Sequence, residues 1–515
     1  MGSTPAPRAV KLAGSLAPTL VFGFASHVGV AVIGIVTVPL YLRLLGAEGY
    51  GLAGFYAVLQ SWILLFDLGL SPAVARQLSR FRAGAVAAGE AASLLRAAEA
   101  LFLAVGLAGG IAFFLAAGWV GRHWLGASHL SPSAIGDCLK IVAALLAVRW
   151  MAGLYQSALI GLERQIALNT VALLAALARS LATVAALLFM ARSPVIFFAA
   201  QAVVSLAETA VYRLLLVRAA PRPAGPIRPG WSLLSRELRF AIGLAAAAAL
   251  ATLINQADKI ALSHTLSLGD FGVFSLVVTL CAGISLVVPP IVQTFQPRLT
   301  TLLAQGRRAE FVHVYTLAHA VIIALTLATA GAIAAQPEMV IYAWTGHRDL
   351  AARLAPIVAT YALGTGIASF LFIPFLLQYA QGLVRLQVIG NLVFGAVWVP
   401  AAVWAAFAFG PVGTGIIWLT GNLAFVVIWV PFVHSRLLSR EERRGLGLVA
   451  LGRVLLLGAA LGATRIIPFD RLDRIGAFAI LALLAGAVFL LGVFTSSVLR
   501  QEFARLITSA PDAPP

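Results

Sequence analysis

Charged side chains are scarce in this chain. They make up 11% of its 515 residues, where a soluble domain carries roughly a quarter. Soluble domains of this total length would go uncoated, so the apolar excess must face lipid. Cysteine is nearly absent: Cys138 and Cys281 lie far apart and offer neither a disulfide framework nor a metal site. His27, His264 and His319 have no metal-ligand spacing and read as helix-packing residues. Long polar connections are missing, which leaves no room for a separate catalytic domain. There is no Walker sequence, so nothing points to ATP. Acidic residues number 19 against 36 Lys and Arg, a net charge of +17 and a pI near 11.0. The excess does not make a nucleic-acid binder, because the arginines are scattered through short connections without RNP, zinc or helix-turn-helix spacing.

What the chain has is apolar sequence: 61% hydrophobic residues and a mean hydropathy of +0.97. A bilayer-spanning helix needs about 20 apolar residues. About 14 such runs are present, at 17–44, 51–71, 93–119, 137–160, 165–191, 194–217, 238–264, 270–296, 311–335, 350–380, 385–409, 412–438, 446–467 and 475–499. The tenth is long enough to contain an interfacial turn. Membrane barrels would show shorter segments of alternating polarity. The run from Pro18 to Leu42 is too long for a signal-peptide core and is expected to stay as a first helix.

Orientation follows from the basic residues of the connections. With the N-terminus inside, Arg76, Arg80, Arg82, Arg164, Arg218, Arg236, Arg307, Arg385, Arg440 and most others fall on the inner side, whereas Arg122, Arg192, Arg348, Arg465, Arg471 and Arg474 fall outside. Both termini are therefore expected to be cytoplasmic. The segment RAAPRPAGPIRPGW, within 218–239, reads as a basic linker. It separates two expected six-helix bundles, 1–217 and 240–438, and two further helices with a tail take up 439–515.

The halves share wording. LLGAEGYG (Leu44 to Gly51) and TLSLGDFG (Thr265 to Gly272) each interrupt a long apolar run. A shift of 221 residues lays Tyr50-Gly51 on Phe271-Gly272 and Arg43 on His264. Each segment joins the first and second helices of its six. Since six is even, the repeats are parallel, as in transporters that place a site between two rocking bundles.

VPLYLRLLGAEGYGLAGF, followed by DLGLSPAVARQLSR, resembles the first hairpin of bacterial polysaccharide transporters of the O-antigen flippase type, in the multidrug/oligosaccharidyl-lipid/polysaccharide (MOP) superfamily. NQADKIALSHTLSLGDFGVFSL adds to it, with Asn255 and Asp258 in an N-x-x-D pattern. The resemblance implies an all-α, V-shaped, MATE-like fold of two six-helix bundles plus two C-terminal helices. It also implies movement of an undecaprenyl-diphosphate-linked oligosaccharide between the leaflets of the bacterial cytoplasmic membrane. In the repeat Asp67 falls opposite Val288, so identical use of both halves is not expected.

An ionisable residue within a membrane helix is costly and by default faces protein or water. Arg149 and Arg179 lie well inside their runs, with Arg43 and Lys259 toward the outer ends of theirs. With Asn255 they are candidates for holding a diphosphate and glycan, since guanidinium forks match phosphate oxygens and lysine acts as a point charge. Their structural alternatives are snorkelling and interhelical pairing. Asp258, Glu208 and Asp67 are candidates for binding a coupling ion. Structurally, Asp67 would fix a turn, Glu208 stands five residues before Arg213, too far for ideal helical pairing, and Asp258 shares a face with Asn255. Gln201, Asn391 and Asn422 would line a sugar path or bond between helices.

These readings favour an alternating-access flippase for lipid-linked oligosaccharide in O-antigen, capsule or exopolysaccharide synthesis. No cofactor is expected, with H⁺, Na⁺ or the membrane potential as the drive. The expected partners are membrane lipids, the lipid-linked substrate and a polysaccharide polymerase. Monomer is the default, because parallel repeats need no second copy. A lipid II flippase and a cation-coupled drug exporter are alternatives with the same fold, although an exporter of cations would favour acidic deep groups. A glycan polymerase or ligase is more distant: the outer connections carrying His123, His129, His347 and Asp349 are short.

Overall fold

The computed structural model describes residues 9–501 apart from 68, 222–225, 287, 444–457, 459–461 and 463–471. Its helices are α1 (Ala9–Phe66), α2 (Leu70–Arg82), α3 (Ala88–His123), α4 (Pro132–Gly161), α5 (Gln165–Phe189), α6 (Pro194–Ala219) and α7 (Trp231–Thr265). They continue with α8 (Leu268–Ser285), α9 (Val288–Ala304), α10 (Arg308–Ala335), α11 (Pro337–Thr345), α12 (Arg348–Ser369), α13 (Phe372–Ala380), α14 (Val384–Leu437) and α15 (Arg474–Phe494). Among the described residues, 10 helical segments are long and apolar enough to cross a membrane. The protein is an all-α, multi-pass membrane protein. The expected span 446–467 lies, but for Gly458 and Gly462, outside the described residues, as do Arg222, Arg465 and Arg471.

Local chemistry sets several helix starts. The Ser131 hydroxyl accepts from the Ala134 N–H ahead of Pro132, and Ser193 does the same for Val195 ahead of Pro194. Asp473 accepts from Gly476 to open α15. A capping oxygen satisfies an otherwise orphaned N–H, and proline fits the first turn because it has none to satisfy.

Two helix pairs are nearly continuous and turn at a glycine. The expected helices 17–44 and 51–71 meet at Gly46, whose φ of 72° and ψ of 176° break α1 internally. Those at 385–409 and 412–438 meet at Gly410, φ 62°, within α14. Glycine takes positive φ without a Cβ penalty.

Three expected spans are divided. The run 51–71 stops at Phe66, and α2 then starts separately. The run 270–296 breaks after Ser285, and α9 begins at Val288 just ahead of Pro289 and Pro290. Pro289 and Pro290 fall in the first turn of α9, where no N–H is needed. The run 350–380 breaks at Phe370-Leu371 between α12 and α13, at the tenth run, where an interfacial turn was expected.

The 221-residue shift holds well beyond the hairpins. It lays the second half of α1 and α2 on α8 and α9, α3 on α10 and α11, α4 on α12 and α13, and α5 and α6 on the two halves of α14. Helix ends agree to within about a turn or two.

Packing divides the chain into Met1–Val273 and Phe274–Pro515, with the boundary inside α8. In the first unit α4 packs along α3 and α6, α5 lies against α1 and α6, and α7 touches α1, α2 and α3. Leu78, Leu94, Phe102, Leu154 and Tyr212 are at its core. In the second unit α10, α12 and α14 are joined by α9 and α13 around Phe311, Tyr315, Leu376 and Val433. There α15 leans on α10 and α11.

The repeated segments meet inside the first unit. A Cβ built on Gly51 would lie 2.1 Å from the Leu268 carbonyl oxygen, and one on Gly272 would lie 2.1 Å from that of Ala47. Ala47 and Leu268 are themselves repeat mates, so the contact is reciprocal. The loop between α3 and α4 is tied to both segments. Glu48 accepts from the backbone N–H groups of Ser128, His129 and Leu130 at 2.7–3.1 Å. Leu268 N–H donates to the Gly126 carbonyl, and the Trp124 indole donates to Ser263 while facing His264.

Candidate functional site

The first unit gathers charge at one place among its apolar helices. Arg149 on α4 and Arg179 on α5 converge on a single carboxylate, Glu208 on α6. Arg179 Nη2 donates to Glu208 Oε2, and Arg149 Nη1 stands 3.5 Å from the same oxygen. The other oxygen, Oε1, accepts from the Tyr212 hydroxyl at 3.2 Å. Tyr56 of α1 reaches the group from the far side, close enough to interact with Arg149, and its ring packs edge-on against the buried Phe198.

Charge balance shapes what this cluster can do. Two guanidiniums share one carboxylate, leaving one positive charge over. The Nε atoms of both arginines are buried and have no hydrogen-bond partner among the described residues. Glu208 retains 5% side-chain exposure, against 17% for Arg149 and 18% for Arg179. The carboxylate is thus the most covered member of the cluster and the cations are the less covered ones. An unpaired buried charge is expensive, and Glu208 offsets one of the two positive charges that the arginines bring into an apolar setting.

The other candidates lie elsewhere. Asp258 on α7 is fully buried, and its neighbour Lys259 donates to it at 3.1 Å and to the Asn255 carbonyl at 2.5 Å. The Asn255 amide donates to the Ala251 carbonyl from an exposed position. Arg43 is exposed on α1, three residues ahead of the Gly46 turn. Asp67 accepts from both the hydroxyl and the backbone N–H of Ser71, tying the break after α1 to the start of α2. Among the described residues no group of three or more His, Cys, Asp or Glu side chains has the arrangement of a metal site.

Sequence reasoning set Glu208 against Arg213 along one helix, whereas its ion-pair partners come from α4 and α5. Tyr56 and Tyr212 were not singled out at all. A tyrosine in an apolar run carries no signal by itself, but the register of Glu208 and Tyr212, four apart on one helix face, would have flagged the second.

In the second unit the repeat mates are apolar. Shifted by 221 residues, Tyr56, Arg149, Arg179, Glu208 and Tyr212 fall on Val277, Phe370, Pro400, Trp429 and Val433. Buried polar pairs there include hydroxyl, imidazole and amide groups. Tyr315 pairs with His434 at 2.7 Å, Tyr361 donates to Thr414, and Gln378, Gln387 and Asn391 form an amide chain.

Comparison with known proteins bears on both halves. The family described as polysaccharide biosynthesis protein matches residues 20–303. No curated protein matches. Among solved structures, the lipid II flippase MurJ in an inward closed conformation is 12% identical, with a TM-score of 0.68, covering 95% of this chain and 100% of that one. An inward-facing multidrug resistance MATE family transporter of the MOP superfamily is 14% identical with a TM-score of 0.62, over 79% of this chain and 94% of its own. A MOP superfamily transporter from Pyrococcus furiosus, described as having a binding pocket of reverse polarity, is also 14% identical, with a TM-score of 0.55, over 81% of this chain and 95% of its own. At these identities the likeness is one of fold. The family match spans more than half of the chain, which therefore belongs to the polysaccharide biosynthesis protein family and has the fold of MOP-superfamily flippases and transporters.

Proposed function

We propose that this protein is a flippase that carries an undecaprenyl-diphosphate-linked oligosaccharide from the cytoplasmic to the outer leaflet by alternating access. The observation that carries the reading is the Arg149–Arg179 pair, which more than neutralises Glu208. Guanidinium forks bind phosphate oxygens through paired N–H bonds. The diphosphate is the part of a lipid-linked sugar that lipid alone cannot carry across. Holding it among membrane helices lowers that barrier, while the polyprenyl chain stays in lipid and the glycan in water.

In this reading the protein sits in the bacterial inner membrane with both termini cytoplasmic and works as a monomer beside a polysaccharide polymerase. No catalytic step is assigned to it. Asp258, Glu208 and Asp67 are the acids available to a coupling H⁺ or Na⁺, and Lys259, Asn255 and Arg43 are further contacts for the substrate. The membrane potential alone is worth roughly 2.3 kcal/mol per charge at 100 mV.

Lipid II is a second substrate of the same chemistry, and the match along the full length of MurJ favours keeping it. The test uses proteoliposomes holding fluorescent undecaprenyl-diphosphate oligosaccharide, with lipid II in a parallel set. Leaflet exchange of the oligosaccharide that needs the protein supports the proposal. Exchange of lipid II alone would move the assignment to peptidoglycan precursors, and uptake of cationic dyes without either would overturn it.

A further inference from the structure

The apolar helices around Glu208 leave it one thing to do without substrate: offset one of the two arginine charges. Resting on the diphosphate reading above, we infer that Glu208 is a resident anion that the incoming diphosphate displaces, and that it takes up a proton as it leaves the arginine pair. The geometry supports this in three ways. Glu208 Oε2 occupies the position between the Arg149 and Arg179 forks that a phosphate oxygen would take. The arginines are the more exposed members and the acid the most covered, the order expected if an anion meets the arginines first. Oε1 is already paired with the Tyr212 hydroxyl, which can hold the acid in place once it has let go.

Charge fixes the proton count. A diphosphate diester brings two negative charges and the two guanidiniums cancel them. If Glu208 stayed ionised, the site would carry a net negative charge among apolar helices, with a carboxylate facing a phosphate. Like charges so placed favour protonation of one of them. The proton comes from water and adds to the carboxylate, so no other group changes state. The groups facing Glu208 are Tyr56 from α1, Arg149 from α4, Arg179 from α5 and Tyr212 from its own helix. Tyrosine and arginine side chains ordinarily titrate well above neutrality, which leaves the carboxyl of Glu208 as the proton acceptor. Substrate and proton thus bind together, the opposite of an exporter in which they compete.

The experiment is calorimetric titration of the purified full-length protein with citronellyl-diphospho-N-acetylglucosamine, a water-soluble diphosphate diester. Buffers of different ionisation enthalpy then report the protons taken up. Wild type is expected to take up close to one proton per probe at pH 7.5 and to bind about tenfold more tightly for each unit the pH falls, the limit for one linked proton. Glu208→Gln is expected to bind with no proton uptake and with no pH dependence. Glu208→Asp keeps the carboxylate and is expected to keep the uptake, which covers the case in which the glutamine variant fails to fold. Wild-type binding without proton uptake overturns the inference and leaves the diphosphate reading standing. Uptake that survives in Glu208→Gln also overturns it. If neither protein binds the probe, the diphosphate reading fails and the inference falls with it.

Discussion

The two halves of this chain come from one helical plan and differ in what they carry. In the first, four helices bring Tyr56, Arg149, Arg179, Glu208 and Tyr212 to one place. In the second, the corresponding positions are Val277, Phe370, Pro400, Trp429 and Val433, so the same helices are closed by apolar packing and neutral hydrogen bonds. The fold therefore does not require the charges. What apolar side chains do in one copy, an ion cluster does in the other, which is the contrast that the proposed diphosphate site rests on.

The largest effect should come from breaking the difference where it is greatest. Arg149→Ala with Arg179→Ala removes both cations and leaves Glu208 buried and unpaired, a loss of about 3–5 kcal/mol for a buried pair. Leaflet exchange in proteoliposomes should fall by at least about 100-fold. The control, Phe370→Leu, alters the mate of Arg149 in the second half, where the ring is only partly buried, and exchange should stay within about twofold of wild type, since an apolar residue is kept. Equal losses at the two positions would remove the contrast.

Next is the contact the halves share. Gly51→Val forces a side chain against the Leu268 carbonyl, and Gly272→Val does so against that of Ala47. Each should cost at least about 1–3 kcal/mol, read as a drop of several degrees in the melting temperature of the purified protein. Because the contact is reciprocal, the two variants should be alike. If one proved silent, the two sides would not be equivalent.

A smaller effect separates the two ways in which the repeats break a helix. After α1 the break is set by Asp67, which accepts from Ser71, together with Gly69 at φ 77°. After α8 it precedes Pro289 and Pro290. Asp67→Ala should cost about 1 kcal/mol, as loss of a capping group does. Pro289→Ala should cost less, since alanine also fits a first turn, and chemical denaturation distinguishes the two.

The smallest effect lies where α10 begins and α14 has ended, where Arg308 grips Glu442 through two N–H bonds at 2.8 and 2.9 Å. The Arg308 guanidinium holds the Glu442 carboxyl below its ordinary value of 4.5. A carboxyl depressed by folding stabilises fully above its unfolded pKa, and this is lost as pH falls through the lower folded value. Glu442→Gln should therefore narrow the stability difference between neutral pH and acid below about pH 4.5. Thermal melts across that range check it.

Much of the plan was legible in the sequence, and the reasons are physical. Apolar run length gave the spans because a bilayer fixes it, and the shared wording at Gly51 and Gly272 marked places where only glycine fits. The division of 270–296 was missed because Pro289 and Pro290 can kink a helix or open one, and the choice depends on packing outside the run. The arginine pair was legible one residue at a time, since charge is rare among apolar helices. Its closure on Glu208 was not, because Arg149 and Arg179 approach from other helices and no spacing along α6 records them. Asp67 had no acidic mate to be found, because in the other copy the break is opened by prolines.

The meeting of Gly51 with Gly272 also bears on how the molecule is assembled. It closes a loop of more than 200 residues, and a chain made from its N-terminus inserts the first of these segments long before the second exists. Until α7 and the start of α8 have entered the bilayer, the first hairpin stands with its glycine face uncovered and the Ala47 carbonyl awaiting its neighbour. The first unit is thus finished by helices that the repeat assigns to the second. A chain cut after α6 would hold every member of the Glu208 cluster and still lack the contact that seats its first hairpin.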